Sequence, residues 1–185
     1  SAVRFNLDNG VWVSGTQQVI TTGDKLIING KDVTAAATPA IEQNAKFVFE
    51  ASQTDTFFKN AVAVGNDVLG VFNDGTYGDW KTYAYDVDPK YLGKGQSLTI
   101  DIHAGNKANP LVHDSENNDD FVVRNIRLIL PDGTTLRAEN YDGIYGNITD
   151  INNIDSSKIK KGLTYDNSTE IKMGDSATTI EILSA

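Results

Sequence analysis

The sequence predicts an all-β protein, specifically an antiparallel β-sandwich. Short runs of apolar alternation recur along the chain, turn-forming clusters of Gly, Asn and Asp separate them, and no stretch carries a convincing amphipathic helical period. Sixteen glycines among 185 residues supply many of those turns. A chain of this length buries one good core, and sandwiches of this size form single domains, so one domain over 1–185 is expected.

In chain order, alternation predicts strands at Val3–Leu7 and Val11–Val13, with Asp8-Asn9-Gly10 turning between them. Gln17–Thr22 and Lys25–Asn29 flank Thr22-Gly23-Asp24 as a hairpin, and Asn29-Gly30-Lys31 turns the chain again. Thr34–Ile41 is Ala-rich, contains Pro39 and reads as loop. Lys46–Ala51 alternates, and Asn60–Val64 with Val68–Phe72 flank Gly65-Asn66-Asp67 as a second hairpin. After a loop at 73–79, the strand Trp80–Val87 has Trp80, Thr82, Ala84 and Asp86 on one face and Lys81, Tyr83, Tyr85 and Val87 on the other.

Pro89–Gly95 reads as a compact segment with Leu92 plugging the core, followed by a strand at Ser97–His103. A long strand, Asp120–Leu130, stops at Pro131-Asp132-Gly133 and leads into Thr134–Arg137. From Ala138 to Ser168 the pattern weakens into Asn, Asp, Gly and Ser, so 138–168 is expected to be an irregular, loop-rich insertion. Thr169–Met173 and Thr178–Leu183 close the chain as strands around Gly174-Asp175-Ser176.

Composition narrows the partners. A formal net charge of −9 repels phosphate backbones and anionic lipid, which disfavours nucleic acid and membrane surfaces. No apolar run approaches a membrane span, so no membrane insertion is expected, and no signal-peptide pattern opens the chain. The absence of cysteine removes disulfides, Cys-ligated zinc and thiol nucleophiles. An acidic, Cys-free, Asn/Thr/Gly-rich β domain fits a bacterial secreted or cell-surface setting, as a monomer or as part of a multidomain chain. The sequons at Asn147-Ile148-Thr149 and Asn167-Ser168-Thr169 matter only in a eukaryotic secretory pathway.

A pattern within Phe47–Gly133 narrows the fold further. Trp80-Lys81-Thr82-Tyr83-Ala84-Tyr85-Asp86-Val87 is followed by Tyr91-Leu92-Gly93-Lys94-Gly95-Gln96-Ser97-Leu98-Thr99-Ile100, and later by Asp119-Asp120-Phe121 before the apolar strand. This order resembles the jelly-roll, galactose-binding-like modules appended to secreted bacterial glycan-processing enzymes. The resemblance covers roughly half the chain and is one of pattern. It implies a non-catalytic carbohydrate-binding accessory module of a larger protein, with a glycan or polysaccharide as partner. It also implies a structural calcium, with Asp120 joined by an N-terminal residue such as Asp8.

The residues between His113 and Phe121 supply independent reason to consider calcium. Asp114, Glu116, Asn118, Asp119 and Asp120 crowd hard oxygen donors that repel one another unless water or a cation sits among them. The spacing is not that of an EF-hand loop, and a solvated acidic turn capping the strand is the plainer reading.

For the ligand platform, Tyr77 and Trp80 bracket Gly78-Asp79 beside Asn73, Asp74 and Thr76. Aromatic rings stack on the apolar faces of sugars while Asp79, Asn73 and Asp74 hydrogen-bond the hydroxyls; Trp12 is an outside candidate. The competing expectation makes Trp80 a core residue and leaves Tyr83 and Tyr85 as a surface platform. Strict alternation puts Arg124 and Arg127 on opposite faces of their strand, so that at most one lines a pocket.

Catalysis finds little support. Asp101-Ile102-His103 shares the Asp-x-His pattern of metallophosphoesterases, and convergence of His103, His113 and Asp114 on one ion would make a metal-dependent hydrolase. The other metal-binding elements of that fold and its α/β alternation are absent. No nucleophile elbow, Walker loop or dinucleotide fingerprint is present. A structural or protein-interaction domain of an adhesin, with no small ligand, is the alternative to glycan binding.

Overall fold

The computed structural model describes residues 2–7, 11–14, 17–22, 25–28, 31–32, 43–54, 60–72, 74–76, 78–92, 97–104, 121–131, 133–138, 140–145, 154–164, 166, 168–173 and 180–183, with backbone alone at 11–32 and 180–183. The fold is an all-β sandwich of two antiparallel sheets. No α-helix occurs among the described residues, and none of their helices is long and apolar enough to cross a membrane.

The first sheet has six strands. They are β1 (Ala2–Leu7), β7 (Asn60–Val64), β8 (Asp67–Phe72), β10 (Leu98–His103), β13 (Asn140–Ile144) and β14 (Ile159–Thr164), in the spatial order β14-β13-β1-β10-β7-β8. In the second sheet, β11 (Phe121–Ile129) lies between β6 (Ala45–Ser52) on one side and β12 (Thr135–Ala138) and β15 (Glu170–Met173) on the other. β9 (Lys81–Val87) pairs with β6, and β16 (Ile180–Leu183) pairs with β15. A meander of β2 (Val11–Ser14), β3 (Gln17–Thr22), β4 (Lys25–Ile28) and β5 (Lys31–Asp32) continues from β12.

Alternation sends one face of each sheet inward. From β1, Val3, Phe5 and Leu7 meet Phe47, Phe49 and Ala51 of β6 in a single core that also takes Phe72, Phe121, Ile126 and Leu128. Aromatic edges bridge the layers: Phe5 lies 5.4 Å from Phe47, and Phe72 lies 5.6 Å from Phe121. Each buried side chain of this size stabilises the fold by about 1.5–3 kcal/mol, so the sandwich rests mainly on this layer. Leu92 is buried in the core behind a 3₁₀ turn at Pro89–Tyr91, as a plug would be.

Tyr83 and Tyr85 also point inward and pack against Phe49 and Phe72, with Tyr83 stacked on Phe49 and the other ring pairs tilted. They do not form a surface platform, because the apolar positions of β6 fix which face of its neighbour β9 is buried. Gly70 makes room for Tyr85, since a Cβ there would lie 2.1 Å from its ring.

The expectation of an irregular insertion at 138–168 is corrected. The segment contributes β13 and β14 to the first sheet and a 3₁₀ turn at Ser156–Lys158. One of its polar residues, Asp142, is structural. Asp142 accepts from Asn6 Nδ2 at 2.8 Å and from the backbone N–H of Gly162 at 2.9 Å, where Gly162 takes φ +71°. Ile144 and Ala2 form a small second cluster with Ile154 and Ile159 on the outer side of the sheet.

Candidate functional site

Only part of the expected site falls within the described residues. Asn73 and Tyr77 lie outside them, as do His113 and every calcium candidate: Asp8, Asp114, Glu116, Asn118, Asp119 and Asp120. Trp12 lies in β2, but its side chain is outside what is described. Asp74, Asp79 and Trp80 are described, together with the sheet face on which Trp80 sits.

The turn carrying them is tied to β6. The backbone N–H groups of Thr76 and Asp79 donate to Asp74 O at 2.9 Å and Thr76 O at 2.8 Å. Thr54, just beyond β6, donates its backbone N–H to Thr76 Oγ1 at 2.9 Å, and its hydroxyl bonds Asp74 O. Asp74 is committed to an ion pair with Lys81, whereas Asp79 is exposed.

Trp80 is not a core residue. It precedes β9 on the outward parity, beside Ser52 by extension of the β6–β9 register, and keeps part of its surface in solvent. Arg124 Cζ of β11 lies 3.7 Å from its ring centroid. The same guanidinium donates to Glu50 Oε1 through Nε at 3.3 Å and Nη2 at 3.1 Å, and its Nη1 approaches Glu170 at 3.8 Å. Thr82, Glu50, Arg124 and Glu170 thus form one row across four strands of the outer face.

The expectation that Arg124 and Arg127 face opposite ways is overturned. Arg124 pairs with Glu50 and Arg127 with Val48, so three residues of β11 span two of β6. The extra residue is absorbed at Asn125, whose φ of +56° is one that Asn tolerates better than most side chains. The bulge resets the alternation and brings Arg127 out beside Arg124.

Asn125 then holds the local polar network. Its Nδ2 donates to Glu50 Oε2 at 2.9 Å, its Oδ1 accepts from Arg137 Nη1 at 2.7 Å, and its carbonyl accepts from Arg127 Nη1 at 2.7 Å. Although burial opposes it, hydrogen bonds from Asn125 and Arg124 and the charges of Arg124 and Arg127 hold the Glu50 carboxyl below its usual range. Burial and the nearby charge of Arg137 push Arg127 down, with Glu50 opposing.

This arrangement suits binding more than proton transfer, because Glu50 is held ionised and hydrogen-bonded. On the opposite sheet, Asp101 receives Arg4 Nε at 2.8 Å and Nη2 at 3.0 Å. A guanidinium therefore occupies the carboxylate that the Asp-x-His pattern would offer to a metal. His103 is fully buried, and burial pushes its pKa down to about 4. No group of three or more His, Asp or Glu side chains suited to a metal occurs among the described residues.

Sequence reading missed Glu50, Asn125, Arg137 and Glu170 as members of this face. One signal was available: the buried alternation Phe121, Val123 changes phase to Ile126, Leu128, as a bulge at Asn125 requires.

No family model matches the chain, and no solved structure matches it. It is similar to a protein of Bacillus subtilis (strain 168) described as uncharacterized protein YvnB, with 39% identity over 144 residues and 74% of this chain covered. The chain spans only 11% of that relative's length.

Proposed function

We propose that this chain is a non-catalytic carbohydrate-binding module of jelly-roll, galactose-binding-like type, an accessory part of a larger secreted or cell-surface bacterial protein. The observation that carries this reading is Trp80, an outward-facing aromatic partly open to solvent, locked by Arg124 at the edge of a polar sheet face. A sugar's apolar face stacks on such a ring, while Asp79 and the sheet's side chains satisfy its hydroxyls. Similarity to a small part of a much longer bacterial protein supports an accessory role. The two-layer antiparallel topology, with β1 between β13 and β10, supports the jelly-roll assignment.

The module carries a structural calcium, held by Asp114, Glu116, Asn118, Asp119 and Asp120 with Asp8. Their carboxylate and amide oxygens are the donors that calcium takes. The ion would hold the segment leading into β11 and supply no chemistry to a substrate.

A glycan-array screen of the wild type and Trp80→Ala tests the function. Binding by the wild type that the variant loses supports it; no wild-type binding to any glycan removes it. A second reading, a protein-interaction domain, draws on one observation. Edge strand β8 exposes Val68 and Val71 (44% and 43%), an apolar pair on a strand that another chain could extend.

A further inference from the structure

We infer that the outer face of the second sheet selects acidic glycans, with the carboxylate of a uronate-type sugar received between Arg127 and Arg137. The inference rests on the carbohydrate reading above and assigns that site its ligand class.

Arg127 and Arg137 stand one position beyond the Leu128–Leu136 pair, on neighbouring strands of one face. Like charges so placed repel. Here the bulge at Asn125 brings Arg127 to that position, and Asn125 fixes both side chains, one through its carbonyl and one through its amide oxygen. Glu50 and Glu170 are engaged by Arg124, whereas no carboxylate lies within 4.0 Å of Arg127 or Arg137 among the described residues. Among the described residues these two guanidinium groups thus make no ion pair, with Glu50 acting on Arg127 only from beyond that distance, on a chain whose net charge is −9.

Each guanidinium has five N–H donors, and only one from each is spent on Asn125. Two forks converging from adjacent strands match a carboxylate, which accepts bidentate bonds that a neutral hydroxyl cannot. The charges also oppose the protein's own field, so an anion would be drawn to this patch rather than to the general surface. Trp80 lies toward the other end of the face, opposite Ser52, while Arg127 lies opposite Val48. That interval is about 13 Å by strand rise, which suits an oligosaccharide rather than a single sugar.

The test titrates wild type, Arg127→Gln, Arg137→Gln and Trp80→Ala with galacturonate oligosaccharides and with their methyl esters, which keep the ring and lose the charge. Wild type is expected to prefer the acid by about tenfold or more, as loss of charge-assisted bonds implies. Each Gln variant should bind acid and ester alike, at the wild type's ester affinity, while melting near the wild-type temperature. Arg127→Lys should recover part of the preference, since it restores the charge without the fork.

Equal wild-type affinity for acid and ester overturns the inference and leaves glycan binding standing. So does a preference that survives in both Gln variants, or dextran sulfate competing more strongly than the uronate. Absence of binding to acid, ester and array glycans alike overturns the carbohydrate reading and this inference with it.

Discussion

The Arg124 guanidinium lies 3.7 Å from the centroid of the Trp80 ring while bonding Glu50. One side chain of β11 therefore ties the residue preceding β9 to the middle of the sheet. A cation over an indole contributes about 0.5–2 kcal/mol, and ordering the ring beforehand lowers the entropy that a ligand must remove on binding. The turn carrying Asp79 and the sheet face carrying the arginines consequently form a continuous surface.

Asn125 is expected to be the most sensitive polar position of that surface. Asn125→Ala keeps a Cβ at a positive φ and loses bonds to Glu50 and Arg137, for a total cost of about 2–4 kcal/mol. Asn125→Gly should recover the conformational part and remain below wild type through the lost bonds. Urea unfolding of the three proteins checks the order; equal stability of the Ala and Gly variants would remove the positive-φ argument.

Gly70→Ala is expected to destabilise the sandwich by about 1–3 kcal/mol, because its methyl meets the Tyr85 ring at 2.1 Å. That ring is confined by Phe49, Phe72 and Tyr83 and has little room to retreat. A variant that melts at the wild-type temperature would mean that Tyr85 does not cover β8.

Stability should fall as pH drops from about 6.5 towards 4. Buried His103 stays neutral in the fold with a pKa of about 4, whereas unfolding lets it take a proton near 6.5. Within that window the unfolded state binds the extra proton, so stability rises with pH, by about 3 kcal/mol in all. The lowered carboxyl of Glu50, whose usual value is 4.5, adds to the loss at the acid end of that window, whereas those of Asp155 and Asp166, with usual values of 3.8, act mainly below it. Urea unfolding at stepped pH should give a flatter profile between 6.5 and 4.5 for His103→Gln, and an unchanged slope would exclude His103 as its source.

Calcium should stabilise the protein by mass action. Adding EDTA to calcium-containing buffer is expected to lower Tm, and Asp119→Asn/Asp120→Asn should remove the difference. A Tm indifferent to EDTA would contradict the ion.

Most of the strand framework was legible, because strands such as β6 and β10 alternate in sequence between apolar core residues (Phe47, Phe49 and Ala51; Leu98, Ile100 and Ile102) and mostly polar ones. β13 was not. Its sequence, Asn140-Tyr141-Asp142-Gly143-Ile144, has the composition of a turn, and only tertiary partners hold it extended: Tyr141 in the core, and Asp142 on Asn6 and Gly162. The candidate site was half legible. Trp80 stood out as an aromatic beside polar loop residues, but its orientation depended on which face of β6 is apolar. The shared face of Arg124 and Arg127 depended on one bulge, which strict alternation does not allow for.

Glycan recognition, as proposed, falls on the Trp80–Arg124 face of the second sheet. The most direct measurement is an amide and indole NMR titration with a bound oligosaccharide. The Trp80 indole Nε1–H and the amides of Glu50, Thr82, Arg124 and Arg127 are expected to shift, with β8 unmoved. Shifts confined to Val68–Phe72, or a Trp80 indole that stays in place while the sugar binds, would contradict it.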